Sequence, residues 1–238
     1  IMEHVGYDNG NVHGSIHTKD FNHMMNTQKS GSTSLPTVTQ SFHTYSLEWS
    51  PSYLRFLIDD SPFFFVYNDY NGNQAKWPFD SPHYMILNLA IGGDWGGVQG
   101  IASSAFPMTM LVDHVRVSKR SESFGDVKVT FQVDMKSVNV SGTGVWISGG
   151  SISSASPGGI QMQPSSSPGL WEAELTLPPN SNFTFKYRNG YFPNSWSEGW
   201  EVVSGNCTVG QYSDRSVSIG VADTTLPSVC FNMCAECI

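Results

Sequence analysis

Ile1-Met2-Glu3-His4-Val5-Gly6 and Val12-His13-Gly14-Ser15-Ile16-His17-Thr18, joined by Tyr7-Asp8-Asn9-Gly10-Asn11, form the stretch from which the fold is read. The spacing predicts two strands and a polar turn, because Asn-Gly and Asp-Asn pairs tolerate the left-handed backbone of tight turns. In the second strand Val12, Gly14 and Ile16 point to one face, and His13, Ser15 and His17 to the other. One carboxylate, Glu3, lies in the first strand. Considered alone, such a residue belongs on a solvated surface.

Composition widens that expectation to the whole chain. Its 238 residues suffice for one large or two ordinary domains, only 13% of them are charged, and 13% are aromatic. Long helical patterns are absent, and short alternating apolar runs recur between Gly, Ser and Pro clusters. The class predicted is all-β and secreted. A net charge of −8 without Lys/Arg clusters argues against nucleic acid or an anionic membrane as partner. Neutral polysaccharide fits a weakly acidic, aromatic-rich surface better. No apolar run reaches transmembrane length. No signal peptide is visible, as expected of a mature or incomplete chain.

The cysteines Cys207, Cys230, Cys234 and Cys237 lie together near the C-terminus. Their spacing could suit zinc, but the Cys-x-x-Cys has no second such pair, so disulfides are expected. A bridge Cys234–Cys237, or one tying Cys230 to Cys207, is predicted. Asn-x-Ser/Thr sequons begin at Asn139, Asn182 and Asn206, which are candidate glycosylation sites in a eukaryotic source.

In chain order, a polar loop is expected over residues 19–40. A three-strand meander follows, with strands at Phe42–Trp49, Tyr53–Asp59 and Phe63–Tyr67. Tyr84–Ile91 has the pattern of a strand buried on both faces except at Asn88. A glycine-rich loop, Gly92-Gly93-Asp94-Trp95-Gly96-Gly97, leads to a last strand at Met108–Ser118. Residues 119–125 form a polar linker. Beyond it, strands at Val127–Met135, Gly144–Gly150, Gly169–Pro178 and Phe183–Gly190 indicate a small second β-sandwich.

Several of these blocks resemble glycoside hydrolase family 16 in its laminarinase (endo-1,3-β-glucanase) branch. They are Ile1-Met2-Glu3-His4-Val5-Gly6, Phe42-His43-x-Tyr45-x-x-Glu48-Trp49, Trp77-Pro78-Phe79-Asp80, Leu87 to Gly97, and Val112-Asp113-His114-Val115-Arg116-Val117. The family motif runs Glu-x-Asp-x-x-Glu. Its first Glu is the nucleophile, the Asp supports it, and the last Glu is the general acid/base. Glu3 matches the last position, and nothing in this chain matches the other two. Two residues precede Glu3 where strict alternation allows one, so a β-bulge is expected there. The inserted Met2 is similar to the laminarinase pattern.

The resemblance covers about residues 1–118 and implies the C-terminal portion of a β-jelly-roll sandwich, with the N-terminal strands absent from this chain. It also implies a sugar cleft on one concave sheet. Residues 126–238 resemble the immunoglobulin-like, starch-binding-type accessory modules of secreted polysaccharidases. The family's last-strand Tyr is replaced by His114, and the acidic residue usual in the late loop by Ala102.

The resemblance further implies a retaining hydrolase of β-glucan, with Glu3 as acid/base. This chain by itself is expected to be inactive. Candidate sugar contacts are Trp95 on its glycine loop, His17, Trp77 and Asn88, with Trp196 and Trp200 in the second sandwich. Trp49, Phe63, Phe64, Phe65, Trp146 and Trp171 are expected in the core. No cofactor is expected, and no metal site is predicted. The alternative is a structural calcium at Asp113, whose other ligands would lie upstream of Ile1. A missing N-terminal half, a companion fragment or a neighbouring protomer is expected to complete the sandwich. The alternative function is a non-catalytic structural or carbohydrate-recognition protein of an extracellular assembly.

Overall fold

The computed structural model describes residues 1–68, 72–119, 125–153 and 158–237. The predicted linker lies mostly outside them, at residues 120–124. The chain is all-β, as predicted. Its central element is the meander β3 (Tyr45–Trp49), β4 (Tyr53–Ile58) and β5 (Ser61–Tyr67), paired antiparallel in that order. Asp59 and Asp60, the two residues between β4 and β5, have φ of 47° and 64°. A type I′ turn requires that left-handed backbone, and short polar Asp tolerates it.

Alternation along β4 and β5 sends side chains to two different cores. Leu54, Phe56, Phe64 and Val66 pack with Ile16 and Trp77, whereas Tyr53 and Phe65 join a second cluster containing Phe131, Ile147 and Phe183. A register shift between Phe56 and Leu57 pairs Phe56 with Phe64 and Leu57 with Pro62, so Phe63 is the extra residue of a bulge. Phe63 therefore contacts Phe56 on the first-core side, and the predicted Phe63-Phe64-Phe65 core run divides between two cores.

The opening segment differs from the predicted hairpin. β1 (Asn11–Ile16) forms as read, but its main partner is β2 (Lys29–Ser34), within the predicted polar loop. Small residues suit this strand because it lies against aromatic rings. A Cβ on Gly31 would stand 2.6 Å from the Phe64 ring, and one on Gly14 would stand 3.0 Å from Phe56. Ser30, Ser32 and Ser34 alternate outward. The weak apolar pattern thus hid a real strand, since glycine replaces the usual inward hydrophobe.

The expected strands at Tyr84–Ile91 and Met108–Ser118 are not strands here. Both segments lack ladder partners and are exposed throughout, Tyr84 by 86% and Val117 by 86%. Their apolar sequence has the strand pattern, but a strand needs a neighbour to satisfy its backbone N–H and C=O groups. Among the described residues no other strand supplies one. Trp49, expected in the core, is 47% exposed and donates Nε1–H to the Phe79 carbonyl.

Residues 126–237 form two five-stranded sheets around one core. The first joins β6 (Val127–Asp134), β9 (Gln163–Pro164), β10 (Leu170–Leu177), β14 (Thr224–Thr225) and β15 (Val229–Cys230). The second joins β7 (Val145–Ser148), β8 (Ile160–Gln161), β11 (Ser181–Asn189), β12 (Thr208–Val209) and β13 (Asp214–Ile219). The strands predicted from alternation correspond to β6, β7, β10 and β11. The meander docks on this sandwich through the Phe65–Phe183 ring contact at 4.9 Å. The Tyr53 hydroxyl also donates to Asp126, and the Thr176 N–H donates to the Tyr67 hydroxyl.

The C-terminal tail is fastened covalently and electrostatically. Disulfides link Cys207–Cys234 and Cys230–Cys237. Disulfide bonding was correctly expected, but the expected pairings, Cys234–Cys237 or Cys207–Cys230, are corrected. The tail folds back so that Cα atoms of Cys207 and Cys234 come within 5.5 Å, which spacing along the sequence does not reveal. Beside this tail, Arg215 makes a bidentate pair with Glu201 and donates to the Met233 carbonyl. Glu201 is 1% and Arg215 4% exposed.

Removing one partner of such a pair strands the other charge in the interior. Glu201→Ala is expected to destabilise the chain by about 3–5 kcal/mol, measured by urea unfolding followed by tryptophan fluorescence. A loss below about 1 kcal/mol would show that water reaches Arg215.

Candidate active site

Glu3 is placed by backbone pairing. Its N–H donates to the His13 carbonyl and its carbonyl accepts from the His13 N–H, both at 2.8 Å. Paired residues of an antiparallel ladder present their side chains on the same face. His13 and Ser15 share that face of β1, so Glu3 comes to lie beside Ser15. The Ser15 hydroxyl lies 2.9 Å from Glu3 Oε2, to which it donates, and 3.0 Å from the Ser30 hydroxyl of β2. The carboxylate is thus oriented by a hydroxyl pair and remains half-buried.

His13 holds the second part of the cluster. Its Nε2 donates to Asp8 at 2.7 Å, and its ring meets the Trp95 indole edge-on, with centroids 5.2 Å apart and planes at 89°. Asn11 Nδ2 also donates to Asp8, at 2.7 Å. The hydrogen bond from Asn11, followed by that from His13, holds the Asp8 carboxyl below its ordinary value of 3.8. His4 Nδ1 donates to the Asn11 carbonyl, which steadies the same turn.

Trp95 reaches His13 because its loop is tightly wound. Gly92 and Gly93 have φ of 73° and 81°, and Cβ atoms on Gly96 and Gly97 would lie 2.8 Å from the carbonyls of Gly92 and Gly93. Only glycine meets both demands. The indole is 43% exposed, which leaves a surface for a ligand.

The other sequence candidates lie apart from this cluster. His17 is past the end of β1, exposed, with its ring against His23 at 5.5 Å. Trp77 is 1% exposed and packed on Phe79, so it is a core residue with no face for a sugar. Asn88 is exposed on the unpaired segment. Asp113 is exposed, with its Oδ2 3.1 Å from Nδ1 of the neighbouring His114, and no cluster of three potential metal ligands occurs among the described residues. A surface groove of about 330 Å³ is lined by Trp49, Phe79 and Pro82, and by none of the Glu3 cluster.

Asp8, His13 and Ser15 are the residues that sequence reasoning missed. His13 and Ser15 were legible only as outward positions of one strand. Their roles follow from the bridge that brings Glu3 over them. In the second sandwich, Trp196 is exposed and Trp200 half-buried. Asn139, Asn182 and Asn206 are exposed.

Known proteins resemble this half of the chain. The profile of glycosyl hydrolases family 16 matches residues 1–116. The beta-glucanase of Rhodothermus marinus is 46% identical over 121 residues, 49% of this chain and 42% of that protein. Glucan endo-1,3-beta-glucosidase A1 of Niallia circulans is 34% identical over 127 residues, 50% of this chain and 18% of that one. The clotting factor G alpha subunit of Tachypleus tridentatus is 32% identical over 134 residues, 54% of this chain and 19% of that one. The chain spans less than half the length of the curated relatives it matches.

Asp8 provides a check on the site's geometry. A carboxyl with a depressed folded pKa contributes stability above its unfolded value, and this is lost as pH falls through the folded value. Carboxyl-carbon NMR titration should therefore place the Asp8 midpoint below 3.8, its ordinary value. Asn11→Ala should move it upward. A midpoint at or above 3.8 would show that the turn does not hold Asp8 against His13.

Proposed function

Since residues 1–116 are part of a family 16 glycosyl hydrolase domain, we propose that this chain carries the acid/base half of a secreted, retaining endo-1,3-β-glucanase. The observation that carries this is the Glu3 carboxylate, bridged to β1, oriented by Ser15, and flanked across His13 by the exposed Trp95 indole. A retaining glycosidase needs a second carboxylate about 5–5.5 Å away as nucleophile. Glu3 protonates the glycosidic oxygen as the nucleophile attacks the anomeric carbon. It then takes a proton from the water that releases the sugar. Trp95 stacks on a pyranose ring of the bound β-glucan.

The nucleophile comes with the strands that complete the jelly roll. The support is physical: Tyr84–Ile91 and Met108–Val117 are rich in apolar residues, exposed and outside any β-ladder. Such a surface aggregates or recruits other strands. A further N-terminal segment, a companion fragment or a neighbouring protomer supplies them, and residues 1–238 alone are inactive. Residues 1–118 are the hydrolase portion, and residues 126–238 an accessory module. The two disulfides and the exposed sequons at Asn139, Asn182 and Asn206 support an extracellular, glycosylated protein. No helix is long and apolar enough to cross a membrane among the described residues.

A second reading is a non-catalytic recognition or structural protein. One specific observation favours it: a relative covering the same half bears the name of a clotting factor subunit.

Glu3→Gln in the completed enzyme separates the two. Hydrolysis of laminarin should fall about 10²–10⁴-fold, while glycosylation by a substrate with a good leaving group is largely spared. Equal loss on both substrates rejects the acid/base role, and no hydrolysis by the wild-type completed enzyme favours the second reading.

Trp95→Ala should raise KM for laminarin oligosaccharides by the equivalent of about 1–3 kcal/mol, the range for a ring stacked on an aromatic. The melting temperature should not change. An unchanged KM excludes the stacking contact.

A further inference from the structure

The second sandwich bears an aromatic surface built by a buried cation. Arg188 of β11 is 0% exposed, and its guanidinium donates to three carbonyls of one loop: Glu198 at 2.7 Å, Phe192 at 3.2 Å and Ser195 at 2.7 Å. Its two flanks are covered by Phe192 and Trp200, with ring centroids 5.0 and 4.3 Å away. Charge-assisted bonds to several points of one loop fix its shape. Glycines close its ends: Gly190 and Gly199 have φ of 117° and 72°, and a Cβ on either would strike the Phe192 ring.

Ladder register then sets the aromatic side chains in order. Arg188 pairs with Trp146 on β7 and bridges Trp200 on its other side. Cross-strand partners share a face, so both indoles lie on the same face as the Arg188 side chain, and Trp200 covers its guanidinium. Each supports an outer ring. Tyr191 lies on Trp146, with centroids 4.5 Å apart, and Trp196 lies parallel to Trp200, with centroids 6.2 Å apart and planes at 7°. The inner indole N–H groups are occupied: Trp146 donates to Thr143 and Trp200 to Trp196, both at backbone carbonyls. The outer rings are open, Tyr191 45% and Trp196 57% exposed.

Unlike the exposed residues of 84–117, these two rings lie on a loop that directly follows β11, whose residues pair with β7 and β13, and Arg188 holds that loop by three carbonyls. Two rigid, half-bare rings among Asn and Ser side chains match the apolar face and hydroxyl edge of pyranoses. Between Asn189 and Trp200 the sole charged residue is Glu198, so no cation is offered to an anionic ligand.

We propose that this Arg188-locked loop is a binding site for a neutral β-glucan chain, with Tyr191 and Trp196 as the contact rings and Trp146 and Trp200 as their supports. The choice of β-glucan rests on the hydrolase reading above. The location of the site does not. Of the two tryptophans anticipated from sequence, Trp196 meets the ligand and Trp200 holds the loop.

Affinity electrophoresis of the 238-residue chain through gels containing laminarin tests this. The wild type should be retarded, and Trp196→Ala or Tyr191→Ala should weaken retardation at least about ten-fold, with near-ultraviolet circular dichroism and melting temperature otherwise retained. Trp196→Phe should keep most of it. Retardation unchanged in both alanine variants, lost only in Trp95→Ala, or absent in the wild type overturns the proposal. Activity of the completed enzyme separates this from the hydrolase reading. Trp196-dependent retardation without hydrolysis overturns only the hydrolase reading, and hydrolysis with Trp196-independent retardation overturns only the loop site.

Discussion

The β4–β5 ladder is a wall common to two hydrophobic cores, and the rest of the chain is arranged about it. On one side it carries Leu54, Phe56, Phe64 and Val66 into the core that receives β1, β2 and Trp77. On the other it sends Tyr53 and Phe65 into the core of the second sandwich. A strand buried on both faces cannot slip in register without misplacing both sets. The bulge at Phe63 allows three consecutive phenylalanines to serve such a wall. It adds one residue to a side that alternation alone would leave short. Burial at this ladder couples the two halves of the chain directly.

From this wall the candidate site follows by short steps. Phe56 and Phe64 demand glycine on β1 and β2, at Gly14 and Gly31. That close approach sets β1 with its polar face outward. The outward face offers the backbone of His13 to Glu3 and the hydroxyl of Ser15 to its carboxylate. Core packing and the orientation of Glu3 are therefore linked: the hydroxyl that bonds its carboxylate is one residue away from a glycine that the aromatic core requires.

The second sandwich applies the opposite strategy. There buried charges do the positioning. Arg188 gathers the carbonyls of the 191–200 loop, and Arg215 with Glu201 secures the tail near the Cys207–Cys234 bridge. Each guanidinium is almost wholly enclosed, so its donors must be met by fixed acceptors. The loop and tail gain defined shapes without a large apolar core of their own.

The sequence by itself determined the class and most of the ladder. Alternation at Tyr53–Asp59, Val127–Met135, Gly169–Pro178 and Phe183–Gly190 predicted strands found with nearly the same bounds, because period-two burial is written locally. It also singled out Glu3, through the motif that contains it. Tertiary structure alone decided the rest. Tyr84–Ile91 has strand composition but no strand, because pairing requires a neighbour that local pattern cannot guarantee. β2 is a strand although, after Lys29, its residues are only Ser, Thr and Gly, because it pairs with β1 along its length and Phe64 leaves no room for a side chain at Gly31. Trp77 and Trp196 are equally suggestive as residues, but one is enclosed by Phe79 and the core and the other stands free on an arginine-held loop. Ser15, His13 and Asp8 acquired roles only when the bridge brought Glu3 over β1. Disulfide partners likewise depended on how the tail folded back. Burial, register and proximity are relations between distant residues, and a local pattern states what a residue prefers without stating what it will meet.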